Sequence, residues 1–103
     1  MERPLRIKAQ QADDLLTLDL HGELDIATVP QVRDAVAQHA DGQAAIVLDL
    51  HELAFIDSSG IRLLLELNAR QTDPPLYFHN PSEAVSRLLG LTGTDGMLRW
   101  HRP

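Results

Sequence analysis

The feature that most constrains this chain is a continuous apolar run, Ala44 to Leu48, with apolar residues at helical spacing on either side of it. An uninterrupted run of this kind is typical of a central strand that is covered on both faces. The spacing from Val29 to Ala40 before the run, and from Ile61 to Ala69 after it, predicts two helices. A strand between two helices requires crossover connections, so the sequence predicts a sheet with parallel pairs and helices packed against it.

Strand patterns also stand at the beginning of the chain. Leu5 to Ala9 and Leu16 to Leu20 alternate apolar and polar residues, with a turn at Asp13-Asp14 between them. This arrangement predicts an antiparallel hairpin. The first helix follows Gly22, with Thr28 or a neighbour as its N-cap, and the second ends at Asp73-Pro74-Pro75.

The last third of the chain predicts two short strands around a helix. Leu76 to Phe78 is one strand, Asn80-Pro81-Ser82-Glu83 has the pattern of a helix start capped by Asn80, and Met97 to Trp100 is the last strand. Leu53 to Ile56 is interpreted as a connection and Gly90 to Gly96 as a loop. We therefore predict an α/β fold in one domain, residues 1–103, in the order β-β-α-β-α-β-α-β. Its sheet is mixed and mostly parallel, with about five strands.

Composition excludes several classes of function. The chain has no cysteine, which removes disulfides, thiolate metal sites and cysteine nucleophiles. A formal net charge of −6 and an aromatic content of 4% argue against a nucleic-acid partner. No apolar run approaches the roughly 18–20 residues of a membrane helix, and the first residues do not resemble a signal peptide. We expect a cytoplasmic protein without membrane insertion.

Motifs for catalysis or for a cofactor are incomplete. His51-Glu52 begins like a zinc-protease helix motif, but Phe55 stands where the second ligand belongs. Neither Ser58 nor Ser59 has the two flanking glycines of a nucleophile elbow. We expect no cofactor, no metal and no enzymatic activity, and a serine-dependent enzyme remains as an alternative of a different class.

Two polar segments carry the functional signal. The first is Gly22-Glu23-Leu24-Asp25, followed by Thr28, and the second is Asp57-Ser58-Ser59-Gly60. Each could be a turn and a helix cap, since Asp and Ser accept hydrogen bonds from the free N–H groups of a helix start. The second segment, however, has three polar residues before a glycine that costs helix stability.

Taken together, these segments resemble the STAS domain family, and specifically the bacterial anti-sigma factor antagonists. The intervening stretch Val47-Leu48-Asp49-Leu50, with Leu53, Phe55 and Ile56, agrees with this resemblance, as does the order of elements over the whole chain. The resemblance implies a single STAS-type domain.

The resemblance also implies a partner-switching function. An antagonist of this family binds an anti-sigma factor that is a serine kinase, which frees a sigma factor. The kinase then phosphorylates the antagonist and ends the complex, and a PP2C-type phosphatase reverses the modification. In this chain the phosphorylated residue would be Ser58, with Asp25 and Asp57 beside it and Ser59 supporting the turn. Gly60 would keep the helix start accessible, and Glu23 would join the partner-binding surface.

Arg62 departs from the family pattern, which commonly has a small residue at this position. It lies four residues after Ser58 and therefore on the same helical face. We hypothesise that Arg62 pairs with phosphoserine or contacts the partner, and a solvated surface arginine is the simpler interpretation.

Other members of the family leave alternatives. A STAS subunit of a lipid-transport ABC complex also has a leucine-rich helix after the polar turn, as Leu63-Leu64-Leu65 does here, but it commonly has threonine and alanine in place of Ser58 and Ser59. A stressosome-type scaffold is a third possibility. STAS modules of sulfate transporters follow membrane spans, and this sequence has no apolar run of that length.

Overall fold

The computed structural model describes residues 5–101. Its main elements are five strands and three helices: β1 (Arg6–Ala12), β2 (Leu15–Leu24), α1 (Val29–His39), β3 (Ala45–Asp49), β4 (Leu53–Ile56), α2 (Ser58–Arg70), β5 (Leu76–His79) and α3 (Glu83–Leu91). One turn of 3₁₀ helix follows at Asp95–Met97. The predicted α/β class is confirmed.

The sheet is mixed and mostly parallel, as predicted. β1 and β2 form an antiparallel hairpin, whose turn places Asp13 in the left-handed region at φ 56°. β2 pairs in parallel with β3, and β3 in parallel with β5, which gives the order β1-β2-β3-β5. The remaining strand, β4, pairs in parallel with the last three residues of β2.

Strand register separates the two faces of the sheet. Leu16, Ile46 and Leu76 are aligned across β2, β3 and β5, and all three are buried. The buried side chains of the three helices join them in one hydrophobic core. Along β2 the alternate residues are only half-buried, as the period of two requires. The core face therefore consists of leucine, isoleucine and phenylalanine from the strands, covered by valine and leucine from the helices.

The central strand and the second helix are confirmed in detail. Residues 46–48 of β3 are all buried, as the continuous apolar run predicts. In α2, Leu63, Leu64 and Leu67 are buried, while Ala69 at the end of the predicted stripe is exposed. The helix is therefore fixed by burial of one broad leucine face.

Two strand assignments from the sequence are wrong. Leu53 to Ile56 is a strand, and its burial pattern, with only Leu53 and Ile56 buried, does not alternate and so lacks the usual signal. Met97 to Trp100 is not a strand, since Asp95–Met97 is helical and only Trp100 forms a bridge, to Phe78. An isolated bridge makes too few hydrogen bonds to extend the sheet.

The start of α3 also differs from the prediction. Its N-cap is Ser82, whose hydroxyl accepts a hydrogen bond from the Val85 N–H at 3.3 Å. Asn80 instead has a left-handed backbone conformation at φ 57°, directly after the end of β5. Helix α3 continues through Gly90 to Leu91, so the predicted loop begins two residues later than expected.

Candidate partner-binding site

The site forms where β2 and β4 end side by side. Leu24 pairs with Ile56, and the Asp57 N–H donates a hydrogen bond of 3.2 Å to the Leu24 carbonyl. Because these strands are parallel, the residues that follow, Asp25 and Asp57, leave the same edge of the sheet. The two polar segments of the sequence are therefore neighbours in space.

The segment after β2 is a loop held by its own side chains. One carboxylate oxygen of Asp25 accepts hydrogen bonds from the N–H groups of Ala27 at 3.0 Å and Thr28 at 3.1 Å. The Thr28 hydroxyl donates to the Glu23 carbonyl at 2.8 Å and accepts from the Asp25 N–H at 3.0 Å. Thr28 is the N-cap residue of α1, but its side chain stabilises the loop and not the helix start.

The segment after β4 is a helix start with a free hydroxyl. Asp57 is the N-cap of α2, and its carboxylate accepts a hydrogen bond of 3.0 Å from the Gly60 N–H. Ser58 is the first helical residue and is exposed. Within residues 5–101 its hydroxyl has no hydrogen-bond partner, so the oxygen is accessible for reaction. Asp57 performs the capping, which leaves Ser58 without a structural task.

Gly60 has a different role from the one predicted. It is buried, and a β-carbon built on it would lie 2.6 Å from Ile56 Cγ1 and 2.8 Å from the Leu24 carbonyl oxygen. Such distances are shorter than any real contact. Gly60 therefore allows α2 to approach the ends of β2 and β4 closely. It adds no surface for a partner, and the expectation that it keeps the helix start open is wrong.

The remaining predicted residues lie around Ser58 with different exposures. Glu23 and Ser59 are half-buried, and Arg62 is exposed. Neither Glu23 nor Arg62 forms an ion pair within the described part of the chain. Their charges are therefore free to meet a partner.

Sequence reasoning missed one residue at this site. Ile26 lies in the loop between Asp25 and Ala27, and 76% of its surface is exposed. Large exposed apolar residues at a polar site are typical of protein interfaces. The signal in the sequence was that Ile26 fits neither the apolar spacing of the strand before it nor that of the helix after it.

The site combines a capped helix start, a loop held by hydrogen bonds and an exposed isoleucine. Across residues 5–101, no group of three or more His, Asp or Glu side chains is arranged to hold a metal ion. In the same part of the chain, no helix has the length and apolarity to cross a membrane.

Comparison with known proteins agrees with this geometry. The family model described as "Mlab, STAS domain" matches residues 7–99. The chain belongs to the STAS domain family. An anti-sigma-B factor antagonist of Staphylococcus aureus is 30% identical over 97 residues, which span 91% of this chain and 90% of that relative.

Solved structures of anti-sigma factor antagonists share the fold. An anti-sigma factor antagonist from Mycobacterium paratuberculosis superposes with a TM-score of 0.79 at 22% identity, over 96% of this chain and 86% of that one. SpoIIAA in its unphosphorylated form gives a TM-score of 0.69 at 22% identity, over 94% and 89% of the two chains. Identities this low support the architecture alone. The expected STAS-type domain is confirmed by the family model, and the expected fold by these structures.

Proposed function

We propose that this protein is an anti-sigma factor antagonist whose binding to an anti-sigma factor serine kinase is switched by phosphorylation of Ser58. The observation that carries the proposal is the exposed, unbonded Ser58 hydroxyl at the head of α2. The S. aureus relative named anti-sigma-B factor antagonist supports the choice of partner. We place the exchange in the cytoplasm, and a PP2C-type phosphatase would restore the free hydroxyl.

The modification is a phosphoryl transfer from ATP. The Ser58 oxygen attacks the γ-phosphorus, its proton passes to a base of the kinase, and the bond from phosphorus to the ADP oxygen breaks. No group of this chain has to act as a base or nucleophile activator. We therefore assign the catalytic machinery to the kinase, and none of it to this protein.

The position of Ser58 explains how a phosphate could change binding without changing the fold. A phosphate carries about −1.5 to −2 charges at neutral pH. The free N–H groups and the dipole of a helix N-terminus favour an anion there. Because Ser58 is already exposed, the phosphate needs no burial. The effect is then limited to the surface presented to the partner.

Charge repulsion is large enough to release a complex of moderate affinity. A partner carboxylate ~7 Å from the phosphate is repelled by about 2 kcal/mol at an effective dielectric constant near 40. This energy weakens binding roughly 30-fold. Asp57 and Asp25 beside Ser58 add to the negative potential that such a partner meets.

The surrounding residues have separate roles in this proposal. Asp57 and Ser59 present the acceptor, and Asp25 holds the loop that carries the exposed Ile26. Glu23 and Asp25 supply acidic surface for the partner. Gly60 acts by close packing beneath the site, and not by contact.

Arg62 moderates the switch in this proposal. It is exposed on α2, four residues after Ser58, where a helix places side chains on one face. A guanidinium there can pair with the phosphate and reduce the repulsion. Replacing Arg62 by alanine should then widen the affinity difference between the phosphorylated and unphosphorylated protein, and an unchanged difference would remove this role.

The test is phosphorylation of the full chain by the anti-sigma factor kinase of the same organism with ATP. We expect mass spectrometry to find one phosphate, on Ser58, and calorimetry to show kinase binding weakened at least tenfold by it. Ser58→Ala should stay unmodified, and the matched variant Ser59→Ala should be modified as the parent is. Phosphate on Ser59 or elsewhere in Ser58→Ala would contradict the assignment.

The alternative role in a lipid-transport ABC complex is weakened by the structure of α2. Its leucine-rich sequence is explained by packing, because Leu63 and Leu64 are buried in the core and Leu65 is half-buried. The leucines are therefore not surface for an ATPase. Binding to an ABC ATPase and not to the kinase in the same assay would reverse this conclusion.

A further inference from the structure

An apolar groove lies between β4 and α3, beside the phosphorylation site. Its volume is about 270 Å³, and its lining includes Phe55, Ile56, Ala84, Arg87, Leu88 and Leu91. The residues come from two elements that are also in contact with each other. The groove is therefore lined by a strand and a helix and not by a loop.

Two large apolar side chains at the groove are exposed to solvent. Phe55 is 46% exposed and Leu91 is 78% exposed. Single exposed apolar residues are common, but two on one groove form an unpartnered apolar surface. Covering them would remove apolar area from water and stabilise a complex.

The groove has one charged residue, Arg87. Within residues 5–101 it forms neither an ion pair nor a hydrogen bond. Sealing an unpaired guanidinium under a partner costs free energy unless the partner supplies an anion. A carboxylate fits best, since a guanidinium binds it through two parallel hydrogen bonds. An occupant of this groove should therefore be apolar with one carboxylate.

The groove lies close to Ser58 along the chain. Ile56 lines it and directly precedes Asp57, the cap of α2. The Ile56 side chain also contacts the position of Gly60 in the first turn of that helix. Ser58 is therefore two residues from a side chain that lines the groove, which is within reach of a partner that binds at Ser58.

We propose that the groove is a second docking region for the anti-sigma factor kinase, so this inference rests on the function proposed above. A segment of the kinase places apolar side chains against Phe55 and Leu91 and a carboxylate against Arg87. The phosphate on Ser58 adds no charge inside the groove. Groove contacts therefore contribute affinity in both states, while the Ser58 surface supplies the difference between them.

The test measures kinase binding by calorimetry for Leu91→Ser and Arg87→Glu, with the phosphorylated and the unphosphorylated full chain. We expect each variant to weaken binding about tenfold or more in both states. The ratio of the two dissociation constants should stay within about twofold of the parent ratio, because the groove does not carry the phosphate.

Two matched variants control for loss of apolar surface and of charge. Met97→Ser removes an apolar side chain that is 61% exposed outside the groove, and Arg70→Glu reverses an exposed charge near the end of α2. Both should bind the kinase within about twofold of the parent. Thermal unfolding of all four variants checks that the fold is kept, which the exposure of these side chains favours.

The outcomes separate this inference from the function on which it rests. If the parent protein does not bind the kinase, both fail. If the parent binds and the groove variants bind equally well, the groove proposal fails and the function of Ser58 stands.

Dodecanoate serves as a small apolar carboxylate probe. Micromolar binding of it in the groove, with kinase affinity unchanged by the variants, would assign the groove to a lipid-like ligand and overturn the proposal.

Discussion

The absence of a side chain at Gly60 determines how the site is built. Gly60 is enclosed by Ile56, Leu24 and the Leu24 carbonyl, so α2 can start directly against the ends of two strands. Asp57 then reaches the Gly60 N–H, and Ser58 is left at the surface. The same residue type serves no such purpose at Gly90, where the nearest atom to an added β-carbon is Asp95 Oδ2 at 3.9 Å.

Gly60→Ala should lower the free energy of unfolding by about 2 kcal/mol, because the backbone oxygen of Leu24 has to move to make room. Urea unfolding followed by circular dichroism measures the change. Gly90→Ala is the control, and within α3 it should leave stability unchanged or raise it by up to about 1 kcal/mol. Equal stability of the two variants would contradict this prediction, because it would mean that the atoms around Gly60 can move apart without a loss of stability.

At the scale of elements, α1 and α2 are joined by a surface ion pair. Arg33 donates two hydrogen bonds of 3.1 Å to the carboxylate of Glu66. These bonds, together with the positive charges of Arg33 and Arg70, hold the pKa of Glu66 below its ordinary value, although partial desolvation opposes the shift. The hydrogen bonds to Glu66 have the opposite effect on Arg33 and raise its pKa above the ordinary value. Surface pairs of this kind add little stability.

Glu66→Gln should lower stability slightly at neutral pH. A carboxyl whose folded pKa is lowered adds stability above its ordinary pKa of about 4.3, and loses it as the pH falls through the folded value. The difference between parent and variant should therefore shrink below about pH 4.3. Urea unfolding from pH 7 to pH 3 measures it, with Arg33→Met and the double variant completing a cycle. A difference that is constant across this range would contradict the ion-pair explanation.

At the scale of the whole molecule, the exposed residues of the site stand on the core without being part of it. The strands and helices share one hydrophobic core, while Ser58, Ile26 and Arg62 lie outside it. We therefore expect modification of this exposed helix start to leave the core contacts unchanged. A switch of this kind alters association without requiring a second fold.

Phosphorylation of Ser58 should therefore change the free energy of unfolding by less than about 1 kcal/mol. The helix dipole favours the phosphate by roughly 0.3–1 kcal/mol, and repulsion from neighbouring carboxylates offsets part of this gain. Urea unfolding of the phosphorylated and unphosphorylated chain tests it, with kinase-treated Ser58→Ala as the control. Destabilisation by more than about 2 kcal/mol, or loss of near-ultraviolet dichroism, would show that the modification acts by unfolding.

Most of the architecture could be predicted from periodicity. The hairpin, the buried strand at residues 45–49 and the helices from Val29 and from Ser58 each bury one face or both, and that leaves a repeating pattern in the sequence. The strand at Leu53–Ile56 and the 3₁₀ turn at Asp95–Met97 are too short to show such a pattern. For α3, the sequence pattern indicated Asn80 as the cap, and contacts outside the helix favour Ser82. Its hydroxyl donates to the Leu53 carbonyl at 2.7 Å.

The sequence by itself determined the fold class, because the period of its apolar residues is a local property of the chain, and its resemblance to the STAS family indicated Ser58 as the candidate acceptor. Tertiary structure decided which residues meet. Pairing of Leu24 with Ile56 places two separate motifs together, buries Gly60 beneath them and leaves Ile26 and the groove at Phe55 exposed. Burial and exposure of these residues depend on strands and helices that are distant in the chain, and no local pattern records such contacts.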